Sequence, residues 1–354
     1  MPASRRLNSE TVHEGEIADS GGIGMKAAIY NGQGDIETPV CGEHDVLIRN
    51  LFASVCGSDV SAFLHGPGAH RISPGSEFGH EVVSEVAAVG RSVKGVEVGQ
   101  RVYPYPLLAR GDTSRAGTLG GFSEYILVPN CELNRQVYAV SDTISSKTAS
   151  LIEPFTVAHR TAGRAQPQIG ETTVVFGAGT IGIGTAISLK DLGCSNVLVV
   201  DLSDFRLQKA AGLGFETCNS SRESLQDKAV QLFGEAPALR GVTANVDIFI
   251  EAAGADSLID TFQSLGKIGC RMVVVGVHST PRPIDMASRC YSQHSIIGSG
   301  GYFPEDVKSV MEIMERGEFN IESIVTHEFP QDEIVKAIET AGDVNQALNV
   351  VIKY

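Results

Sequence analysis

The stretch Thr172-Thr173-Val174-Val175-Phe176-Gly177-Ala178-Gly179-Thr180-Ile181-Gly182 decides the fold of the second half of the chain. Thr172–Phe176 is an apolar, β-branched run of strand length. The next six residues fit G-x-G-x-x-G, and a helix-like stretch runs from Ile181 to Leu192 before Gly193 ends it. As a bare string the glycine pattern is weak, because many turns are rich in glycine. Placed directly after a strand and at the opening of a helix, it reads as a dinucleotide turn. Glycine is needed there for the tight turn, for close approach of backbone to a pyrophosphate and for helix–strand packing. The helix N-terminus offers its free N–H groups to the phosphates. Gly177, Gly179, Thr180, Ile181 and Gly182 are therefore candidate cofactor contacts.

The next strand, Asn196–Asp201, ends on a carboxylate 19 residues beyond Gly182. A carboxylate at that place accepts hydrogen bonds from both ribose hydroxyls and repels a 2′-phosphate, which points to NAD over NADP. Arg206, five residues on, is near enough in sequence to approach the same ribose and leaves dual use open. Further apolar strands are expected at Val246–Glu251 and Arg271–Gly276, where Gly276 adds a candidate cofactor contact. Strands alternating with ~10–15-residue helices indicate βαβ units and a parallel sheet. Their apolar runs do not alternate, as expected when both sheet faces are covered.

Working outward, Met25 to about Ser150 consists of short β-type runs broken by Gly and Pro. A first strand is expected at Met25–Tyr30. Others are Val46–Asn50, Glu81–Val86 and Phe122–Val128, together a compact and mostly antiparallel β domain. After Gly298 come two amphipathic helix-like stretches, Glu305–Arg316 and Gln331–Ala341, and a last strand, Asn349–Lys353. The fold class is α/β, with expected boundaries of 1–24 for a polar extension, 25–155 for the β domain, 156–297 for the doubly wound cofactor domain and 298–354 for a return to the first domain.

The 354 residues are 42% hydrophobic and 20% charged, which fits a folded chain. With 28 basic against 42 acidic residues the net charge is −14, and such a surface repels phosphate backbones. That argues against nucleic acid or an anionic membrane as the main partner. No apolar run approaches the ~18 residues of a spanning helix. The seven cysteines stand singly, without a CxxC, which argues against a disulfide framework. Residues 1–24 lack the apolar core of a secretory signal, so a cytoplasmic location is expected.

The β-rich half carries Cys56-Gly57-Ser58-Asp59, then Gly79-His80-Glu81 24 residues after Cys56, and Leu151-Ile152-Glu153-Pro154 follows near its end. Thiolate, imidazole and carboxylate are the ligand types of a catalytic zinc with one open position. Ordinary burial fits the same residues, since a lone cysteine is most often a small buried apolar group. A His-Glu pair at a strand start is commonly a surface pair.

Read together, Cys56-Gly57-Ser58-Asp59, Gly79-His80-Glu81, Val98-Gly99-Gln100-Arg101-Val102, Gly120-Gly121-Phe122-Ser123-Glu124-Tyr125 and Glu153-Pro154, followed by the glycine turn and Asp201, resemble the zinc-dependent medium-chain alcohol dehydrogenases. The likeness covers Met25 to Tyr354. Glutamate at 153 in place of cysteine is similar to the polyol branch, such as sorbitol and idonate dehydrogenases. The resemblance implies a GroES-like β domain and a Rossmann domain, with Cys56 and His80 as zinc ligands. Glu153 would hold the third position directly or through water, and Glu81 would be a fourth ligand or an outer carboxylate. Ser58 would begin the proton relay. It also implies interconversion of a secondary alcohol and a ketone with NAD, and assembly into dimers or tetramers.

Two departures bear on this. Tyr103 to Gly120 contains no cysteine, so the structural zinc of many relatives has no ligands and one zinc per chain is expected. Where polyol relatives often continue the first motif as Val-His-Tyr, this chain reads Val60-Ser61-Ala62, which puts sorbitol-like specificity in question. His65, His70 and His159 are candidate cleft residues or ordinary surface and core histidines. Competing readings are a threonine- or butanediol-type dehydrogenase, a zinc-free quinone or enoyl reductase on the same architecture, and a non-enzymatic cofactor-sensing protein.

Overall fold

The run VLIRNLFAS holds two apolar triplets, Val46-Leu47-Ile48 and Leu51-Phe52-Ala53, on either side of Arg49-Asn50, and it forms β1 (Val46–Ser54), which pairs with three other strands of the first sheet. It is followed by α1 (Gly57–His65), β2 (Glu81–Val89), β3 (Arg101–Pro104), β4 (Tyr125–Val128), β5 (Val137–Ala139) and α2 (Ser146–Ala149). The structure is a computed structural model, and it describes residues 24–30, 36–66, 72–110, 118–278 and 280–354. Next come α3 (Ile152–Arg164), β6 (Thr172–Phe176), α4 (Thr180–Asp191), β7 (Asn196–Asp201), α5 (Asp204–Gly212), β8 (Glu216–Asn219) and α6 (Leu225–Phe233). A small hairpin, β9 (Glu235–Ala238) and β10 (Gly241–Ala244), precedes β11 (Ile248–Glu251), α7 (Ser257–Leu265), β12 (Arg271–Val274), α8 (Met286–Ser292), β13 (Ser295–Gly298) and α9 (Pro304–Arg316). The chain ends through β14 (Val325–Pro330), α10 (Ile334–Ala341) and β15 (Asn349–Lys353).

Two units separate by their internal contacts. The first holds the described residues up to Glu153 with Val325–Asp343 and Asn349–Tyr354, and the second holds Pro154–Ile324 with Val344–Leu348. In the first, β1 pairs antiparallel with β2 along one edge, and with β4 and then β15 along the other. β14 adds in parallel to β15, and β3 and β5 extend the other side. The stretch Met25–Tyr30 was expected as a strand. It makes isolated bridges instead, Ala27 to Ser123 and Ile29 to Glu77, because alternate residues pair with two different segments and no ladder can propagate.

In the second unit six parallel strands lie in the order β13-β12-β11-β6-β7-β8. This is the doubly wound arrangement, with the order reversing between β6 and β11. β6 is buried at every position, as its unbroken apolar run requires. Phe176, Phe249 and Phe262 pack in sequence on one face, with centroids 6.1 and 5.3 Å apart. Each such buried ring contributes about 1.5–3 kcal/mol relative to exposure.

The return to the first sheet was placed at 298, but residues 298–324 belong with the second unit. β13 continues the parallel sheet beside β12. α9 is held there by Asp306 against His159 on α3 and by Arg316 against Asp191 on α4. Only at Val325 does the chain join β15. All seven cysteines are free. No helix among the described residues is long and apolar enough to cross a membrane.

Candidate functional site

The β1–β2 register brings two motifs together that are 24 residues apart. Ser54, the last residue of β1, lies opposite Glu81, the first of β2. Cys56 thus follows one strand end as His80 precedes the neighbouring strand start. Cys56, His80 and Glu81 each offer one ligand atom within 4.8 Å of the others.

Each of the three is held by its surroundings. Asp59, in the first turn of α1, accepts from the Cys56 backbone N–H at 3.0 Å, and the Ser58 hydroxyl donates to the sulfur. Gly79, at φ +90°, precedes His80, and its carbonyl accepts from Gly121 N and Thr118 Oγ1, both at 2.9 Å. A Cβ at Gly79 would lie 2.7 Å from the Phe122 ring, so only glycine lets that ring seat under the imidazole's backbone. Asn349 Nδ2 donates to Ser54 Oγ at 2.9 Å, and Ser54 in turn donates to the Glu81 carboxylate. Outer partners of this kind fix the orientation of metal ligands.

The electrostatics show what the cluster lacks. Burial and the charge of Asp59 push the Cys56 thiol up to about 11, with Glu153 adding to the effect. Burial, then Cys56 and Glu153, push the Glu81 carboxyl well above the usual carboxylate range. Burial pulls the His80 imidazole down, but Glu153, Asp59 and Glu81 outweigh it and raise its affinity for a proton. His80 Nδ1 is buried and has no hydrogen-bond partner among the described residues. Four acidic groups around one imidazole with an orphaned buried nitrogen form a cage that a divalent cation would satisfy; nearby positive charge would reverse each of these shifts. The donor set therefore fits a metal. Glu81 falls in the mutually close group, whereas Glu153 is buried and acts on all three residues by its charge.

In the second unit the glycines separate by role. A Cβ at Gly182 would lie 1.8 Å from the Gly177 carbonyl oxygen, and one at Gly177, at φ +99°, would lie 3.0 Å from the Ala252 carbonyl oxygen. Gly179, the N-cap of α4, faces open space except for Arg206 Nη1 at 3.7 Å. Thr180 and Ile181 open that helix. Asp201 is more engaged than its sequence position implies. Oδ2 accepts from Ala178 N at 2.7 Å, and Oδ1 accepts from Leu202 and Ser203 N at 2.7 and 2.8 Å. A carboxylate has about four acceptor sites, so capacity for a ribose hydroxyl remains. Arg206 Nε donates to the Ala347 carbonyl at 3.0 Å. Gly276 closes over Glu251 and Gly254, where a Cβ would lie 2.4 Å from each.

Of the further histidines, His65 is exposed at the end of α1 and His159 is committed to Asp306. His70 lies outside the described residues. Asp59 stands in the sequence only as the last residue of the Cys56-Gly57-Ser58-Asp59 motif. Its location three residues after Cys56, in the first turn of a helix that Cys56 caps, was the signal that it would reach back to that residue.

Comparison with known proteins matches both halves of the chain. Residues 42–137 fit the alcohol dehydrogenase GroES-like domain, and residues 180–316 fit the zinc-binding dehydrogenase domain. L-threonine 3-dehydrogenase of Escherichia fergusonii is 28% identical over 323 residues, spanning 86% of this chain and 91% of that protein. Among solved structures, 2R,3R-butanediol dehydrogenase of Bacillus subtilis superposes with a TM-score of 0.79 at 24% identity, over 93% of this chain and 99% of that one. An Escherichia coli CFT073 protein described as a short chain alcohol dehydrogenase, solved with NADH, gives 0.77 at 26%, over 94% and 99%. With a GroES-like sheet carrying the thiol–imidazole–carboxylate cluster, a doubly wound sheet carrying the glycine turn, and family matches on both, the chain belongs to the zinc-dependent medium-chain alcohol dehydrogenase family of oxidoreductases.

Proposed function

We propose that the protein interconverts a secondary alcohol, of polyol or sugar-acid type, and a ketone by NAD-linked hydride transfer, with one zinc ion per chain. The observation that carries this reading is the mutual approach of Cys56, His80 and Glu81 around an orphaned buried imidazole nitrogen. Cys56, His80 and Glu81 hold the ion, and Glu153 stands by as a further carboxylate. A zinc ion there supplies Lewis-acid polarisation of the substrate oxygen and lowers the pKa of its hydroxyl. Ser58, next to Cys56, would accept the substrate proton at its Oγ while its own hydroxyl hydrogen, turned from the sulfur, is released toward solvent. Asp59 keeps Cys56 at the head of α1.

The dinucleotide is held by the Gly177–Gly182 turn, with Thr180 and Ile181 offering backbone N–H groups to its phosphates. Asp201 takes the adenosine ribose. Support for NAD comes from this carboxylate and from the NADH bound to the similar Escherichia coli protein. Asp201→Asn keeps the shape and part of the acceptor set while removing the charge, so the preference for NAD over NADP should narrow about thirtyfold, within the ~1.5–3 kcal/mol of a charged hydrogen bond. An unchanged ratio of kcat/KM values would count against the ribose role.

A second reading, oxidation of a 3-hydroxy amino acid such as threonine, is favoured by the 28% identity to L-threonine 3-dehydrogenase. An NAD-reduction screen over polyols, sugar acids, 2,3-diols and threonine, with and without a chelator, separates the two. Turnover insensitive to the chelator would overturn both.

A further inference from the structure

Glu251 ends β11 at 0% exposure, and both of its oxygens are engaged. Oε1 accepts from Ala253 N at 2.9 Å and Gly254 N at 2.7 Å, and Oε2 lies 2.9 Å from His278 Nε2. The other ring nitrogen, Nδ1, lies 3.0 Å from Asp256 Oδ1, and Asp256 Oδ2 accepts from Thr280 Oγ1 at 2.5 Å. A neutral imidazole carries one N–H and can donate to only one of two carboxylates. Both contacts are donated only by the imidazolium. Gly276 makes the arrangement possible, since any side chain there would collide with Glu251 Oε2.

This staple sits at the carboxyl ends of β11 and β12. The loop after β11 also packs on the glycine turn, where Gly177 meets Ala252. In a doubly wound sheet, ligands bind at the carboxyl ends of the strands where the order reverses, here between β6 and β11. We propose that His278, as an imidazolium shared between Glu251 and Asp256, is a positioning residue that fixes the loops after β11 and β12 for dinucleotide binding, so that cofactor affinity falls as the ring loses its proton. The inference rests on the dinucleotide reading above.

The groups facing the ring agree with this. The hydrogen bond to Asp256 raises the His278 pKa; burial opposes it and Glu251 adds to it. Thr280 and His278 hold the Asp256 carboxyl below its usual range, and Arg282 contributes from alongside. A histidine whose folded-state pKa is raised stabilises the folded loops fully below its ordinary value of about 6.5 and loses that contribution as pH rises through the raised value.

The test uses the full chain with its metal bound, so that the groups of the other cluster are held as ligands and do not titrate, with NADH fluorescence as the binding probe between about pH 5.5 and pH 9. The wild-type dissociation constant should rise about tenfold across this range, inside the 5–150-fold span of ordinary coupling. His278→Gln, which keeps a donor but no charge, should bind NADH more weakly at the acid end and with a flat profile. Asp256→Asn should move the step to lower pH. A step that persists unchanged in His278→Gln overturns the inference while leaving the dinucleotide reading intact. Absence of NADH binding by folded wild type at every pH overturns that reading and the inference with it. Nuclear magnetic resonance titration of the ring supplies a readout free of cofactor: a His278 pKa at or below the ordinary value shows that no imidazolium staple exists.

Discussion

Cys56→Ser should lower turnover about a thousandfold while changing NADH affinity less than about twofold. Lewis-acid stabilisation is worth several kcal/mol, and each 1.36 kcal/mol is a factor of ten in rate. A serine hydroxyl does not ionise near neutral pH and is a harder, weaker donor than a thiolate, so the ion's hold on the site is lost with the sulfur. The fold should survive. A serine oxygen can accept in place of the sulfur from the Ser58 backbone N–H, and the Cys56 N–H to Asp59 bond that starts α1 does not involve the sulfur. The glycine turn belongs to a different sheet, with its own core of Phe176, Phe249 and Phe262. Zinc content by mass analysis, kcat and the NADH dissociation constant are the three measurements. Full turnover with no zinc would sink the metal assignment. Loss of NADH binding together with turnover would show that the substitution acts on the fold rather than on the ion.

What could be read in the sequence was what is local. The strand–glycine turn–helix of residues 172–192 is written in consecutive residues, and the structure places the strand where the apolar run lies. The cluster was harder, because Cys56 and His80 are joined by strand register rather than by spacing. Resemblance to a family supplied what periodicity could not. The same register explains why the two glutamates stand differently toward the cluster. Glu81 pairs with Ser54 across the β1–β2 ladder, beside Cys56 and His80, whereas Glu153 arrives on a helix and bears on the cluster by its charge. The segment 298–324 went to the wrong half for a related reason. Its amphipathic helix says that it packs, but not on what, and the deciding partners, His159 and Asp191, lie more than a hundred residues away. The Glu251–His278–Asp256 staple carries no motif at all; it exists only once β11 and β12 are adjacent.

Two glycines of one turn should fail in different ways, and the contrast is the sharpest test of the dinucleotide reading. Gly182→Ala puts a Cβ 1.8 Å from the Gly177 carbonyl oxygen, which no rotamer can relieve because the obstacle is backbone. α4 cannot simply shift outward. Gly184, two residues on and so on roughly the opposite face of the helix, already stands where a Cβ would be 2.8 Å from the Ala158 methyl on α3. Overpacking costs typically 1–3 kcal/mol, and a clash with backbone lies at the upper end, so about 3 kcal/mol is expected. At roughly 2–4 °C per kcal/mol for a unit of this size, the melting temperature should fall about 6–12 °C. Gly179→Ala meets nothing closer than Arg206 Nη1 at 3.7 Å, and its backbone, at φ −77°, suits alanine. Its melting temperature should match that of wild type. NADH affinity should nevertheless fall more than about tenfold, because the added methyl occupies the space through which backbone approaches pyrophosphate. The open space at Gly179 has no packing role to explain it, so a ligand is the remaining reason for glycine there. Wild-type NADH affinity in a normally stable Gly179→Ala protein would leave the turn structural and remove the basis for a dinucleotide at that helix end.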